Sequence, residues 1–187
     1  YGIIKATKFV HFCLKGTAMN LILSDRPLSL PLPESWQLVD LSALKISPCV
    51  GCFGCWVKTP GRCVIRDDAV TVYPLIAQSG RILYVTRVRF GCYDVTMKRM
   101  LERAIPVQQA FLRLHEGETH HVQRNVLPKE AVFVAYGTDT PEERALFERL
   151  VARNALNMSF TSHRIVFVSE EEVENTVAME VSAWETI

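Results

Sequence analysis

The chain lacks an excess of either charge. Lys and Arg number 21 against 20 Asp and Glu, so it has no basic footprint of a nucleic-acid binder. No apolar run approaches the roughly 18 residues of a membrane span, which argues against a membrane protein. Neither a Walker loop nor a Gly-x-Gly-x-x-Gly motif is present, and spacing assembles no Ser/His/Asp or Cys/His triad. Internal repeats and low-complexity linkers are missing too, and composition excludes collagen-like, disordered and coiled-coil chains. What is left is a globular protein. Its 187 residues correspond to one domain at roughly 150 residues each. A chain of this length buries about 70% of its unfolded surface, so it needs no staples to fold.

Cysteine, by contrast, is plentiful. The six are Cys13, Cys49, Cys52, Cys55, Cys63 and Cys92, four of them within one short segment. The stretch Lys5–Ala18 is faintly signal-like, but Lys15 interrupts it and its apolar part is short. The chain therefore reads as cytoplasmic, where clustered cysteines more often hold metal or do redox work. Residues 1–18 read as an extension outside the core. Residues 19–187 read as a single domain carrying a cysteine-rich loop at 48–63.

Short apolar runs bounded by turn residues predict five strands: Asn20–Leu23, Gln37–Leu41, Arg81–Thr86, Ala131–Tyr136 and Arg164–Val168. Helical patterns fall between them. Asp67 and Asp68 stand before a helix bearing Val72, Leu75 and Ile76. Met97, Met100, Leu101 and Ala104 mark one buried face, and Pro106 ends or kinks that helix. Thr140, Pro141 and Glu143 form an N-cap, a first-turn proline and a capping box. A last helix spans about Glu170 to Trp184. Residues 115–129 read as a polar surface excursion, with His120 and His121 on the surface.

Strands alternating with helices predict a parallel sheet covered on both faces. Five strands give a flavodoxin-like α/β three-layer sandwich of strand order 2-1-3-4-5. Its first helix reads as missing. Residues 28–35 run Leu-Ser-Leu-Pro-Leu-Pro-Glu-Ser, and alternate prolines cannot form a helix interior.

Cys49, Cys52, Cys55 and Cys63 follow the spacing C-x2-C-x2-C-x7-C. Gly51 and Gly54 let the loop bend, and Pro60-Gly61 returns the last cysteine. Such spacings recur at [4Fe–4S] centres. Zinc is the alternative metal, though it usually takes two separated pairs. The bland alternative is four reduced thiols without metal.

The same segment, continued through Thr59-Pro60-Gly61-Arg62-Cys63-Val64-Ile65-Arg66-Asp67-Asp68, resembles the NAD(P)H-dependent FMN reductase-like proteins, and among them the iron–sulfur flavoproteins. The resemblance extends to Thr86-Arg87-Val88-Arg89-Phe90-Gly91, to Met97-Lys98 and Glu102-Arg103, and to Tyr136-Gly137-Thr138-Asp139. It covers about Gln37 to Met158. It implies FMN bound at the carboxyl edge of the sheet, NAD(P)H as electron donor, a homodimer and a redox protein partner. The flavin contacts it implies are Ser24, Arg26 and Ser29, then Thr86, Arg87, Val88, Arg89, Phe90 and Gly91, then Tyr136, Gly137, Thr138 and Asp139. The four clustered cysteines would ligate a [4Fe–4S] relay. Family members have a phosphate loop and full helix after the first strand, and a Pro and a Tyr where this chain has Arg87 and Arg89. The alternative reading is a flavin-free metal-binding or redox-sensing module on the same fold.

Overall fold

The computed structural model describes residues 19–186. The predicted extension over residues 1–18, with Cys13, lies outside them. Strands β1 (Met19–Ser24), β2 (Trp36–Asp40), β3 (Ser79–Arg89), β7 (Lys129–Tyr136) and β8 (Phe160–Val168) form a parallel sheet of order β2-β1-β3-β7-β8. This is the predicted 2-1-3-4-5 order.

Side-chain alternation splits the sheet cleanly between two faces. Leu21, Leu23, Ile82, Tyr84, Ala131 and Phe133 point into one core. Helices α2 (Ala69–Gln78), α3 (Val95–Glu102) and α4 (Pro141–Asn157) cover it, contributing Val72, Ile76, Met97, Met100, Phe147 and Val151. Ile22, Leu83, Val85, Val132 and Val134 point the other way, onto Val173, Val177 and Val181 of α5 (Val173–Glu185). Strands apolar on both faces suit such a buried parallel sheet.

The predicted missing helix is replaced by an extended strap. Between β1 and β2, Leu28, Leu30 and Leu32 are half-buried and pack on the α5-side core, while Pro27, Ser29, Pro31 and Pro33 face solvent. The period of two is that of extended chain, and proline tolerates it because no hydrogen-bond ladder is required. Trp36 ends the strap, stacks on Trp184 at 5.5 Å and donates from Nε1 to Glu185 Oε1.

Three local expectations change. First, β3 runs on past Thr86 to Arg89 and turns through Phe90 and Gly91 into the two-residue β4 (Cys92–Tyr93). Both turn residues have positive φ, the signature of the hairpin turn whose twist matches its strands. Second, the polar excursion is ordered. β5 (Gln108–His115) pairs antiparallel with β6 (Glu118–Gln123) across Glu116-Gly117, which also have positive φ. His120 is buried there rather than exposed, its Nδ1 facing Asn157 Oδ1 and its Nε2 facing Glu118. Third, Thr140 caps α4 by accepting from the Glu143 N–H. The Glu143 carboxylate, however, takes its hydrogen bonds from Thr138 Oγ1 and the Phe90 N–H, so no reciprocal box forms. No helix among the described residues is long and apolar enough to cross a membrane.

Candidate active site at the carboxyl edge of the sheet

Ligands of open α/β sheets sit beyond the carboxyl ends of the strands, where the strand order reverses. Here that place lies between the ends of β1 and β3, beside β7. Asp25 follows β1 directly. Its Oδ2 accepts from the Arg87 N–H at 2.7 Å and its Oδ1 accepts from the Tyr136 hydroxyl at 2.7 Å. Burial pushes the Asp25 carboxyl above its ordinary pKa, against those hydrogen bonds. Burial and the bond to Asp25 likewise push the Tyr136 phenol up.

Two guanidiniums flank the Tyr136 ring. Arg87 Cζ lies 4.9 Å and Arg26 Cζ 5.5 Å from its centroid, within cation–π range. Both arginines reach Glu170, just beyond β8: Arg87 Nη2 to Oε2 and Arg26 Nη1 to Oε1 at 3.3 Å. The bond to Glu170 holds Arg87 firmly protonated. Glu170 is itself half-exposed, so one carboxylate serves two cations at the rim. An incoming anion can compete for them there.

The implied flavin contacts divide among several environments. Arg26, Arg87, Tyr136 and Gly137 come together, and Arg87 lies so close over Gly137 that a Cβ there would meet its Cγ at 2.9 Å. Thr138 is buried on Glu143, and Asp139 lies beyond it before α4. Phe90, at the hairpin tip, is 90% exposed, with Gly91 packed on Leu146. Arg89 pairs with Asp94 at 3.4 Å. Val88 is in the core, and Thr86 is buried within β3. Ser24 is buried and its Oγ donates to the Arg26 carbonyl oxygen, a closed local turn. Ser29 lies along the strap, its N–H donating to Glu174 Oε1. Sequence reasoning missed Asp25 and Glu170. Asp25 carries one readable signal, a carboxylate directly after the first strand, whereas Glu170 carries none.

The cysteine loop departs from expectation. Cys55 is buried in the single turn α1 (Gly54–Val57), Cys52 is exposed, and Cys49 and Cys63 are half-buried. Burial and the neighbouring Cys63, Cys49 and Cys52 push the Cys55 thiol up. The four sulfurs thus share a neighbourhood without converging. Among the described residues no three His, Cys, Asp or Glu side chains lie close enough to share a metal. The expected [4Fe–4S] ligation, and the zinc alternative, therefore do not fit this donor set. The reason is local: the turn at Phe53, in the left-handed region, and the helical turn after it send Cys52 outward and Cys55 inward. Phe53 and Trp56 pack on each other at 5.3 Å, and Trp56 packs on His121 at 4.6 Å.

No family model matches this chain, and no curated protein sequence does. Solved structures do resemble it. An NAD(P)H:quinone oxidoreductase from Methanothermobacter marburgensis is 10% identical, with a TM-score of 0.54 over 88% of this chain and 96% of that one. An FMN-dependent NADH-azoreductase from Bacillus anthracis, solved with FMN, is 12% identical, with a TM-score of 0.54 over 91% of this chain and 98% of that one. A Streptococcus mutans protein is 9% identical, with a TM-score of 0.57 over 90% of this chain and all of that one. With its 2-1-3-4-5 parallel sheet and helices on both faces, the chain has the flavodoxin-like α/β fold.

Proposed function

We propose that the protein is an NAD(P)H-linked, FMN-dependent oxidoreductase of the quinone- and azo-reductase kind. The observation that carries this reading is the pair Arg26 and Arg87. They stand side by side on Tyr136 at the point where the strand order reverses, and share the exposed Glu170. The fold of reductases such as the quinone oxidoreductase and azoreductase above supports it.

In charge, the residues fit the phosphate of a flavin nucleotide. A dianion can replace the single carboxylate of Glu170 between two guanidiniums, which suit bidentate phosphate binding. The usual backbone cradle at a helix N-terminus is absent, because the strap follows β1. The arginines do that work here. Asp25 and Tyr136 hold Arg87 and the ends of β1 and β7 in register beneath them. Phe90 offers an exposed aromatic face at the hairpin tip. FMN, when bound, supplies the redox chemistry, while the protein fixes and tunes it. A homodimer and a redox protein partner belong to the same proposal. A [4Fe–4S] relay does not, for want of a converging donor set.

The experiment is flavin titration of the purified protein, followed by NAD(P)H oxidation with a quinone or an azo dye. Saturable FMN binding that weakens roughly tenfold or more in Arg26→Gln/Arg87→Gln, with FMN-dependent NAD(P)H consumption, is expected. A protein that neither binds FMN nor oxidises NAD(P)H refutes the reading. The strap in place of a phosphate-binding helix favours a second reading, a flavin-free redox-sensing module using the cysteine loop. That result would support it.

A further inference from the structure

Glu170 stands in the turn between β8 and α5, in the place where the proposed site needs its anion. Its Oε1 faces Arg26 Nη1 at 3.3 Å, and its Oε2 faces Arg87 Nη2. Arg26 Nη1 also reaches the Glu170 carbonyl oxygen at 3.5 Å. Three segments far apart in sequence thus meet on one residue: the start of the strap, the end of β3 and the turn before α5.

A ligand can reach all three side chains. Those of Arg26 and Arg87 are 31% and 29% exposed, and that of Glu170 is 51% exposed. The neighbouring carboxylates are engaged elsewhere. Asp25 accepts from the Arg87 N–H and the Tyr136 hydroxyl. Glu172 accepts from the Ser169 N–H and hydroxyl, and Glu174 from the Ser29 N–H. Among the described residues, Glu170 is therefore the only carboxylate paired with either guanidinium. A carboxylate carried by the chain itself competes with any free anion, because its tether keeps it at a high local concentration.

We infer that Glu170 is a built-in competing anion. It is an autoinhibitory contact that holds the empty site, and it swings into solvent before a phosphate monoester seats between Arg26 and Arg87. The inference rests on the reading of those arginines as the flavin-phosphate site. Once displaced, the carboxylate stands at the rim, where giving up an exposed ion pair costs little. Every anion faces the same competition, so weakly held monoanions are excluded first. A dianion, which answers both guanidiniums, still binds.

The probe is phenyl phosphate, which carries the phosphate monoester without the flavin, and the measurement is calorimetric titration. Glu170→Gln is expected to tighten its binding roughly three- to tenfold, and that of FMN by a similar factor. Glu171→Gln removes the same charge from the exposed neighbouring residue and is expected to leave both affinities unchanged. Thermal melts verify that both variants keep the fold. An affinity in Glu170→Gln that falls, or stays within about twofold of the native value, overturns the inference. So does an equal gain in Glu171→Gln, or no saturable phenyl phosphate binding in the native protein and Glu170→Gln alike. The two readings fail separately. Tighter phenyl phosphate binding in a protein that never binds FMN supports the competing anion and refutes the flavin site. FMN binding that Glu170→Gln leaves unchanged does the reverse.

Discussion

Arg103 and Asp67 form a bidentate ion pair, with Nη1 to Oδ2 at 2.7 Å and Nη2 to Oδ1 at 2.8 Å. The arginine side chain is fully buried. It also donates to the carbonyl oxygens of Ser47 and Ile65, while Asp67 accepts from the Ser47 N–H. The pair therefore clamps both ends of the cysteine loop to the end of α3. Asp67-Asp68 and Glu102-Arg103 were separate fragments of one sequence resemblance, and the fold joins them. Asp67 does more than precede a helix.

Removing one partner of such a pair leaves a buried charge unanswered. Arg103→Leu is expected to cost about 3–5 kcal/mol, measured by urea unfolding. A cost below about 1 kcal/mol, typical of surface pairs, would show that the clamp does not hold the loop.

The same pair sets an acid limit. Burial opposes ionisation of Asp67, but the hydrogen bonds from Arg103 and Ser47 outweigh it and leave its carboxyl below the ordinary range. A depressed carboxylate contributes stability above its unfolded pKa of about 3.9, and loses it as pH falls through the lower folded value. Melting temperature should therefore fall below about pH 4 in the native protein. In Asp67→Asn that component of the fall should vanish. Parallel acid profiles for the two proteins would contradict it.

Lys129 gives the opposite, alkaline signature. Its pKa falls from 10.5 to about 8 on folding, so below pH 8 the folded state holds a proton it disfavours. Stability attributable to this group rises between about pH 8 and 10.5 as the unfolded chain binds more protons, by up to about 3 kcal/mol. Lys129→Met should be more stable than the native protein at pH 7, with the gap closing across that window. A pH-independent gap would place the ammonium in water.

Two glycines separate backbone strain from collision. Gly117 has φ +78 with nothing within 4 Å of an added Cβ, whereas at Gly91, with φ +69, the Cβ would lie 2.5 Å from Leu146 Cβ. Gly117→Ala should cost about 1 kcal/mol, the left-handed penalty alone. Gly91→Ala should cost about 2–4 kcal/mol, since α4 must shift. Equal costs by thermal unfolding would mean that the Phe90-Gly91 hairpin moves freely away from α4.

The two faces of the sheet, the missing first helix and the Thr140 cap of α4 were all readable locally. Apolar runs bounded by turns marked β1, β2, β3, β7 and β8 at their correct places in the sheet. Prolines at positions 31 and 33 excluded the first helix, and Thr140-Pro141 marked the start of α4. Each signal depends on residues within a turn or a strand of one another, whose spacing fixes which face they present. The resemblance likewise pointed to the carboxyl edge, where the fold brings Arg26, Arg87 and Tyr136 together.

What the sequence did not determine was decided by contacts across the sheet. Glu170 meets Arg87 from 83 positions away, and Tyr136 meets Asp25 from 111. Neither pair has a spacing to read, because strand order alone brings those ends together. The fate of the cysteines was decided the same way. Their spacing placed four thiols on one loop, but the Asp67–Arg103 anchor and the turn at Phe53 set which of them face inward. Lys129 shows the same limit most plainly. As sequence it is a charge before a strand, and it is buried only because α2, α4 and an unforeseen hairpin close over that edge of the sheet.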